Sequence, residues 1–358
     1  MVVVGADVHK HTHTFVAVDQ VGRQLGKVTV AARSDGHARA LALAWARERF
    51  GQELVWAIED CRHLSARLER DLLTAGQQVV RVPPKMMAEQ RRIARTRGKS
   101  DPIDALAVAR AAAREPGLPV ATHDQDSREA KVLVDRREAL LGTRTRKINS
   151  LLWRVHELDP AMAPKPRSPN RLKHQQVLAT RLAELPGMVA EIARDELADV
   201  MALTKRINVL EARIRKLARD RVPALMELLG CAALNAAKLL GESAGITRFA
   251  SEAQFARHGG LAPIPVWSGR TKGRVRMTRS GNRQINAAIH RIALTQIRHR
   301  DSQGAVYYQR KIAEGKTKTE ALRCLKRRLA HRVQPAHHRP PQPPASARDS
   351  TRNSRRLT

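Results

Sequence analysis

The sequence predicts an α/β domain built on a mixed sheet, followed by an all-α region. Two observations predict it. Residues 1–30 read as two or three short strands joined by turns, and strand and helix signals alternate from there to about residue 115. From Asp126 onward the apolar residues Val132, Leu133, Leu140, Leu141, Ile148, Leu151, Leu152 and Val155 recur near helical spacing, and strand alternation disappears.

Taken in order, Met1–Val4 is an apolar run with Asp7 just after it, near a strand end. Val16 and Val18 alternate with Phe15, Ala17 and Asp19, and residues 18–22 form a hairpin-like turn. His37–Phe50 is rich in Ala, Leu and Arg and predicts a helix ended near Gly51. Leu54–Ile58 predicts a strand with Glu59 at its C-terminal end, Leu64–Ala75 a helix stopped by Gly76, and Gln78–Val82 a strand broken by Pro83 and Pro84. Met86–Gly98 is basic and reads as helix or loop. Ser100 is placed to cap a helix that has Pro102 in its first turn and ends before Pro116. Residues 160–170 hold four prolines and predict a hinge, and 172–222 return to helix. Val200, Leu203, Ile207, Leu210, Ile214 and Leu217 follow a 3-4-3-4-3 spacing, a short heptad-like seam for a coiled coil or a long antiparallel pair. Leu225–Gly241 reads as helix, turn, helix. A Gly/Pro-rich stretch around 258–281 leads to helices over 282–299 and 302–333, and the Pro/Arg-rich tail from Pro335 predicts disorder. The expected domains are 1–125, 126–222, 223–333 and the tail 334–358.

Charge narrows the partner. Lys and Arg number 66 against 34 Asp and Glu, a net +32. That excess faces an anion, and nucleic acid is the default. No apolar run approaches the roughly 18 residues of a membrane span, and no leader-like segment opens the chain, so a cytoplasmic, nucleoid-associated protein is expected. Cys61, Cys231 and Cys324 are scattered, which supports neither a disulfide framework nor a zinc site. Aromatic residues make up 3% of the chain, so phosphate contacts rather than base stacking should dominate binding.

Four acids carry the chemistry. Asp7 and Glu59 sit at strand ends, and Asp101 and Asp104, three apart on a helix, share a face. Four carboxylates in one site need a counter-charge, and hard oxygen ligands call for Mg²⁺ or Mn²⁺. In-line phosphoryl transfer is the reaction that most often uses two such ions. Asp60, next to Glu59, would point away along a continuing strand. His9, His11 and His13 alternate and would share a strand face. Without a cysteine or fourth ligand they read better as a polar face beside a phosphate than as a metal site. The remaining candidates for nucleic-acid contact are His9, Lys10, Arg95, Arg97 and Lys99, then Arg270, Lys272, Arg274, Arg276 and Arg279 around Ser268. Gly269, Gly273 and Gly281 would let backbone N–H groups approach an anion there. A second basic run covers 323–332.

These blocks resemble the DEDD insertion-sequence transposases and the related Piv-type DNA invertases. The likeness rests on GADVHKHTH, IED and KSDPIDALAVAR near the N-terminus, then on LLGCAALNAAKLLGESAGITRFASEAQFARHGGLAPIPVWSGR and RSGNRQINAAI. It covers residues 3–333. It implies a RuvC-like, ribonuclease-H-type first domain, a helical coiled-coil middle and a mainly helical C-terminal transposase domain. Asp7, Glu59, Asp101 and Asp104 match the family's four metal-binding acids. Ser268 in PVWSGR best matches its nucleophile, with Ser280 in TRSGNR the competitor. The implied activity is Mg²⁺-dependent strand exchange through a covalent serine–DNA link, directed by a structured element-encoded RNA, in a homodimer or homotetramer. One departure is GCAALNAA at 230–237, where relatives usually carry a second glycine. A water-using nuclease or junction resolvase, and a decayed DNA-binding protein without catalysis, are the alternatives.

Overall fold

The computed structural model describes residues 1–33, 37–60, 64–93, 98–115, 117–122, 124–272, 275–277 and 281–338. The chain divides into two compact units. The first comprises Met1–Asp124 with Thr247–Ala250, and the second Gln125–Ile246 with the chain from Ser251 onward.

The first unit is a five-stranded mixed sheet. Its strands are β1 (Val2–Val8), β2 (Thr12–Val18), β3 (Gln24–Ala31), β4 (Leu54–Glu59) and β5 (Gln78–Val82), in spatial order β3-β2-β1-β4-β5. β1 pairs antiparallel with β2, and β2 with β3, whereas β4 and β5 run parallel to β1. Period-two alternation sends side chains to both faces. Phe15, Trp56, Ile58 and Leu72 lie in one buried cluster, with Ala42 and Ala46 of α1 (His37–Phe50) and Leu68 of α2 (Ala66–Thr74). Val3, Val16, Ala57 and Val82 lie in the other, beside α3 (Pro84–Ile93) and α4 (Asp101–Arg114). The sheet therefore has helices on both faces.

α4 lies unusually close to β1. A Cβ added at Gly5 would overlap the Ala105 carbonyl and the Ala109 amide, and would sit 2.7 Å from Ala109 Cβ. Small residues on the helix answer the missing side chain on the strand: Ala105, Ala109 and Ala111 are all buried. A buried ion pair stiffens the far edge. Arg81 on β5 donates Nη2 and Nε to the two Glu69 carboxylate oxygens of α2 at 2.6 and 2.7 Å. Burial works against the Arg81 charge, but the Glu69 bonds outweigh it and raise its pKa.

Among the described residues, the second unit is helical apart from one short hairpin. Two 34-residue helices, α5 (Gln125–Leu158) and α7 (Met188–Arg221), run antiparallel. The facing pairs Arg221–Asp126, Arg137–Glu211, Lys147–Asp199 and Ser150–Glu196 show it, since one number rises as the other falls. At about 1.5 Å per residue each helix is roughly 51 Å long. α6 (Leu172–Ala183) closes one end, where Leu178 and Leu182 join Ile148, Leu151, Leu197 and Val200. Beyond lie α8 (Pro223–Met226), α9 (Ala233–Ser243), α10 (Glu252–His258), the hairpin β6 (Pro263–Pro265) and β7 (Val275–Met277), α11 (Arg283–Arg298), α12 (Gln303–Ala313) and α13 (Lys318–His338).

Several sequence expectations change. β1 continues through Asp7 to Val8, so Asp7 lies inside the strand. The seam on α7 is closed within the chain: Val200, Ile207, Ile214 and Leu217 are buried, with α5 as the facing helix. Of the two readings of that seam, a coiled coil or a long antiparallel pair, the second is the one found, within one chain. The helix expected over 172–222 breaks at Gly187, whose φ is +94°, and the one expected over 302–333 breaks at Gly315, whose φ is +84°. Pro335 does not end structure, because α13 runs on to His338. Gly230 packs tightly, since an added Cβ would lie 2.9 Å from Thr295 Cβ on α11. Ala236 and Ala237 of α9 are core. No helix among the described residues is long and apolar enough to cross a membrane.

Gly5→Ala should cost about 3 kcal/mol or more by overpacking, read as a lower denaturant midpoint at unchanged m-value. Glu69→Ala, which leaves a buried guanidinium without its main counter-charge, should cost about 3 kcal/mol in the same assay.

A candidate metal centre and a basic serine loop

β1 and β4 are adjacent and parallel, with Ala6 opposite Ile58, so Asp7, one residue inside the end of β1, and Glu59, the last residue of β4, lie at one level. α4 starts at the same sheet end because Gly5 admits its second turn onto β1. Asp101 is its first residue and Asp104 lies one turn further in. Ser100 occupies the N-cap position but makes no side-chain cap bond.

Three donors converge. One atom each from Asp7, His9 and Asp101 lies within 4.8 Å of the others. His9 Nε2 donates to Asp7 Oδ2 at 3.0 Å and sits 3.5 Å from Asp101 Oδ1. Asp104 is buried and accepts from Arg91 Nη1 of α3 at 2.8 Å. Burial raises the Asp7 pKa, and the charges of Asp104 and Asp101 add to it, while His9 opposes them. Burial also raises the Glu59 pKa, and Asp7, Asp104 and Asp60 reinforce the rise against Arg91. All four acids thus act on one region of the sheet end, where negative charge exceeds what His9 and Arg91 balance.

Oxygen donors from at least two carboxylates with an excess of negative charge suit a hard divalent cation. His9 does not share a strand face with His11 and His13, because it lies in the turn after β1, whereas His13 is on β2. It thus stands between two acids rather than on a polar strand face. Arg91 lies in the stretch that reads as basic from Met86 to Gly98, and it holds Asp104. Neither role has a local sequence signal, since both depend on how β1 and α3 meet α4. Asp60 is half-buried, with Arg248 Nη1 4.0 Å away within the same unit. Lys10 and Lys99 are exposed at the same end of the chain segments, in the β1–β2 turn and just before α4. Arg95 and Arg97 lie outside the described residues.

The second unit presents Ser268 on the loop after β6, exposed beside the half-exposed Trp267. Arg270 and Lys272 follow in and after a 3-10 turn that begins at Gly269, whose φ is +42°. Arg276 is exposed on β7. Arg274, Arg279 and the alternative Ser280 lie outside the described residues.

The base of this loop is pinned at both ends. A Cβ on Gly281 would overlap the Gly260 backbone. Asn286 Nδ2 donates to the carbonyls of Gly259 and Gly260, both at 3.1 Å. Asn282 caps α11 by accepting from Gln284 N and Ile285 N at 2.9 and 3.0 Å. Its Nδ2 reaches Glu242 on α9 at 2.8 Å, and Glu242 in turn accepts from Lys131 of α5 at 2.8 Å. The sequence reading missed Asn282, Asn286 and Glu242; only the Asn282 position ahead of a helix carried a capping signal.

Two family models match the chain. A DEDD-type IS110 transposase model covers residues 4–157, and a model for transposases of the IS116/IS110/IS902 family covers 222–309. The chain is 27% identical to the insertion element IS900 uncharacterized 42 kDa protein of Mycobacterium paratuberculosis, over 90% of this chain and 92% of that one. It is 26% identical to the insertion element IS116 uncharacterized 44.8 kDa protein of Streptomyces clavuligerus, over 91% and 92% respectively. A third relative, the insertion element IS110 uncharacterized 43.6 kDa protein of Streptomyces coelicolor, is 32% identical over 44% of this chain. With both family blocks in order, the acids of the first and Ser268 within the second, the chain belongs to the IS110-type family of DEDD insertion-sequence transposases, enzymes that transpose DNA.

Proposed function

We propose that this transposase cuts and rejoins DNA by metal-dependent phosphoryl transfer through a serine–DNA link. The observation that carries this is the convergence of Asp7, His9 and Asp101 beside Asp104 and Glu59 at the end of the sheet. The strand order, three antiparallel strands followed by two parallel ones, supports a RuvC-like, ribonuclease-H-type domain. Asp7, Glu59, Asp101 and Asp104 would hold one or two Mg²⁺ or Mn²⁺ ions. Bound there, such ions supply Lewis-acid polarisation of a phosphoryl oxygen and neutralise charge on the leaving oxygen.

The chain's own residues do the rest. Arg91 and His9 balance part of the carboxylate charge, and His9 can rotate away or remain as a ligand. Arg270, Lys272 and Arg276 neutralise DNA phosphates next to Ser268. Ser268 Oγ attacks phosphorus, its proton passes to solvent, the P–O3′ bond breaks, and the departing 3′-oxygen takes up a proton. The 5′-phosphate then stays on the serine until the 3′-hydroxyl of a new partner strand attacks it and restores the serine hydroxyl. The acids and Ser268 belong to different units, so the chemistry requires both at one phosphate, within one chain or across two copies. Strand exchange involves several cleavages, which a two-fold symmetric dimer or tetramer would organise. The net charge of +32 is large enough to serve a structured element-encoded RNA as well as DNA.

The decisive experiment incubates the protein with Mg²⁺, labelled element-junction DNA and RNA from the element's flanks, then resolves protein-bound label on a denaturing gel. Wild type and Ser280→Ala should form an adduct, and Ser268→Ala none. Asp7→Asn and Asp101→Asn should lose more than the roughly 10–100-fold that removal of an outer ligand partner costs. Nicked DNA without any adduct would replace the serine with water as nucleophile.

Metal also has a signature in stability. The folded-state pKa values of Asp7 and Glu59 lie above their unfolded values. The native state therefore binds more protons between the ordinary carboxylate value and the raised one, and stability falls as pH rises through that window. Glu59→Gln should raise the metal-free Tm at neutral pH and flatten this fall. Saturating Mn²⁺ should raise the Tm of wild type and leave that of the Asp7→Asn, Asp101→Asn double variant unmoved.

A further inference from the structure

The second unit contains a cavity of about 520 Å³ between the β6–β7 hairpin and helices α12 and α13. Part of its lining is apolar: buried Leu261 with the exposed Pro263 and Val275, and the half-buried Cys324 thiol at one side. Its rim is cationic, with Arg276 from β7 and Arg323, Arg327 and Arg328 from α13. The single carboxylate on the lining, Glu320, is committed to the start of α13, accepting from Thr317 N and Oγ1 at 2.9 and 2.8 Å. Tyr307 forms a wall, and the Arg328 guanidinium lies 4.6 Å from its ring centroid.

A groove that only follows a phosphate backbone needs positive charge and no apolar floor. A cavity with apolar lining residues, a ring, a guanidinium lying over that ring and several further cations suits a ligand with a flat apolar face and an attached anion. Its size falls in the range that encloses a small ligand, about 300–1,000 Å³. Two strands of the hairpin, β6 and β7, lead into and out of the loop that carries Ser268, and they also supply Pro263, Val275 and Arg276 to the cavity. A nucleic-acid strand lying on that loop therefore has the cavity beside it.

We propose that this cavity takes one unpaired nucleotide of the nucleic acid bound at the serine loop. Its base stacks on the Arg328 guanidinium, which the Tyr307 ring backs, and its phosphates meet Arg276, Arg323 and Arg327. The proposal rests on the assignment of that loop to DNA contact. Low aromatic content is no obstacle, since one base needs one ring. Taking a nucleotide out of the stack is least costly where it is already unpaired, so the cavity favours junctions, bulges and displaced strands over continuous duplex.

The test uses the full chain without metal and two DNA duplexes carrying 2-aminopurine at the same position, once as a single unpaired bulge and once fully paired. Wild type should bind the bulged duplex more tightly and quench its emission. Tyr307→Leu should weaken binding of the bulged duplex about tenfold, in line with the loss of one stacked base, leave the paired duplex within about twofold, and abolish the quench. Tyr307→Phe should restore both. Bulged DNA, and not paired DNA, should protect Cys324 of wild type from maleimide. The same bulge made in RNA tells which strand supplies the nucleotide: equal preference, or preference for either one, sustains the cavity's role. Equal losses on both duplexes, or an unprotected Cys324, overturn it. Ser268→Ala should keep the bulge preference, so absence of a serine adduct leaves the proposal standing. An Arg270→Ala, Lys272→Ala variant that binds both duplexes as wild type does would instead remove the loop contact on which it rests.

Discussion

The approach of α4 to β1 across Gly5 governs the first unit. No side chain separates strand from helix at that point, so the helix backbone lies directly against the central strand. The carboxylates of the first helical turn are thereby carried to the place where β1 and β4 end. Each partner in this contact is small, and each would be replaced at the cost of moving the other. The catalytic geometry proposed here therefore depends on the absence of atoms two residues before Asp7, in addition to the presence of four acids.

Electrostatics then acts on that frame. Bringing carboxylates together in a half-buried site raises the energy of their charged forms, and Arg91 and His9 offset only part of it. A site that is destabilising on its own and relieved by a cation is what a metal-dependent phosphoryl-transfer enzyme requires. The same logic separates Asp104, held by an arginine inside the protein, from Asp101, half-exposed at the helix start beside His9 and Asp7. The two acids share a helix face yet meet different surroundings.

Much of the frame could be read from residue order. The bounds of α1 and β5 match their expected spans residue for residue, because apolar patterning and flanking Gly or Pro are local signals. The four acids could be singled out because the apolar runs before Asp7 and Glu59 and the Ser-Asp-Pro helix start are local too, although Asp7 lies inside its strand and Ser100 makes no cap bond. Gly5 and Arg91 could not, since their importance arises only when α4 and α3 pack. His9 was misplaced on a strand face because the extra length of β1 moves it into the following turn. The heptad seam on α7 was visible, but spacing alone does not say whether the facing helix comes from the same chain. Here α5 supplies it.

The crossing of Gly260 over Gly281 has a consequence of another kind. The segment between them leaves and re-enters the folded body where Gly260 meets Gly281, held by Asn282, Asn286 and Glu242, and its β6 and β7 strands face α12 and α13 across the cavity. The exposed stretch 266–270 beyond β6, closed at its base in this way, transmits little of its own shape to the rest of the protein. Changing its length alters mainly the entropy of closing it, which varies only slowly with the number of residues. Insertions and deletions there would be nearly silent for folding while redrawing the surface proposed to meet DNA. An element evolving toward new insertion sites has, in this loop, a part it can vary without disturbing the helices that hold it.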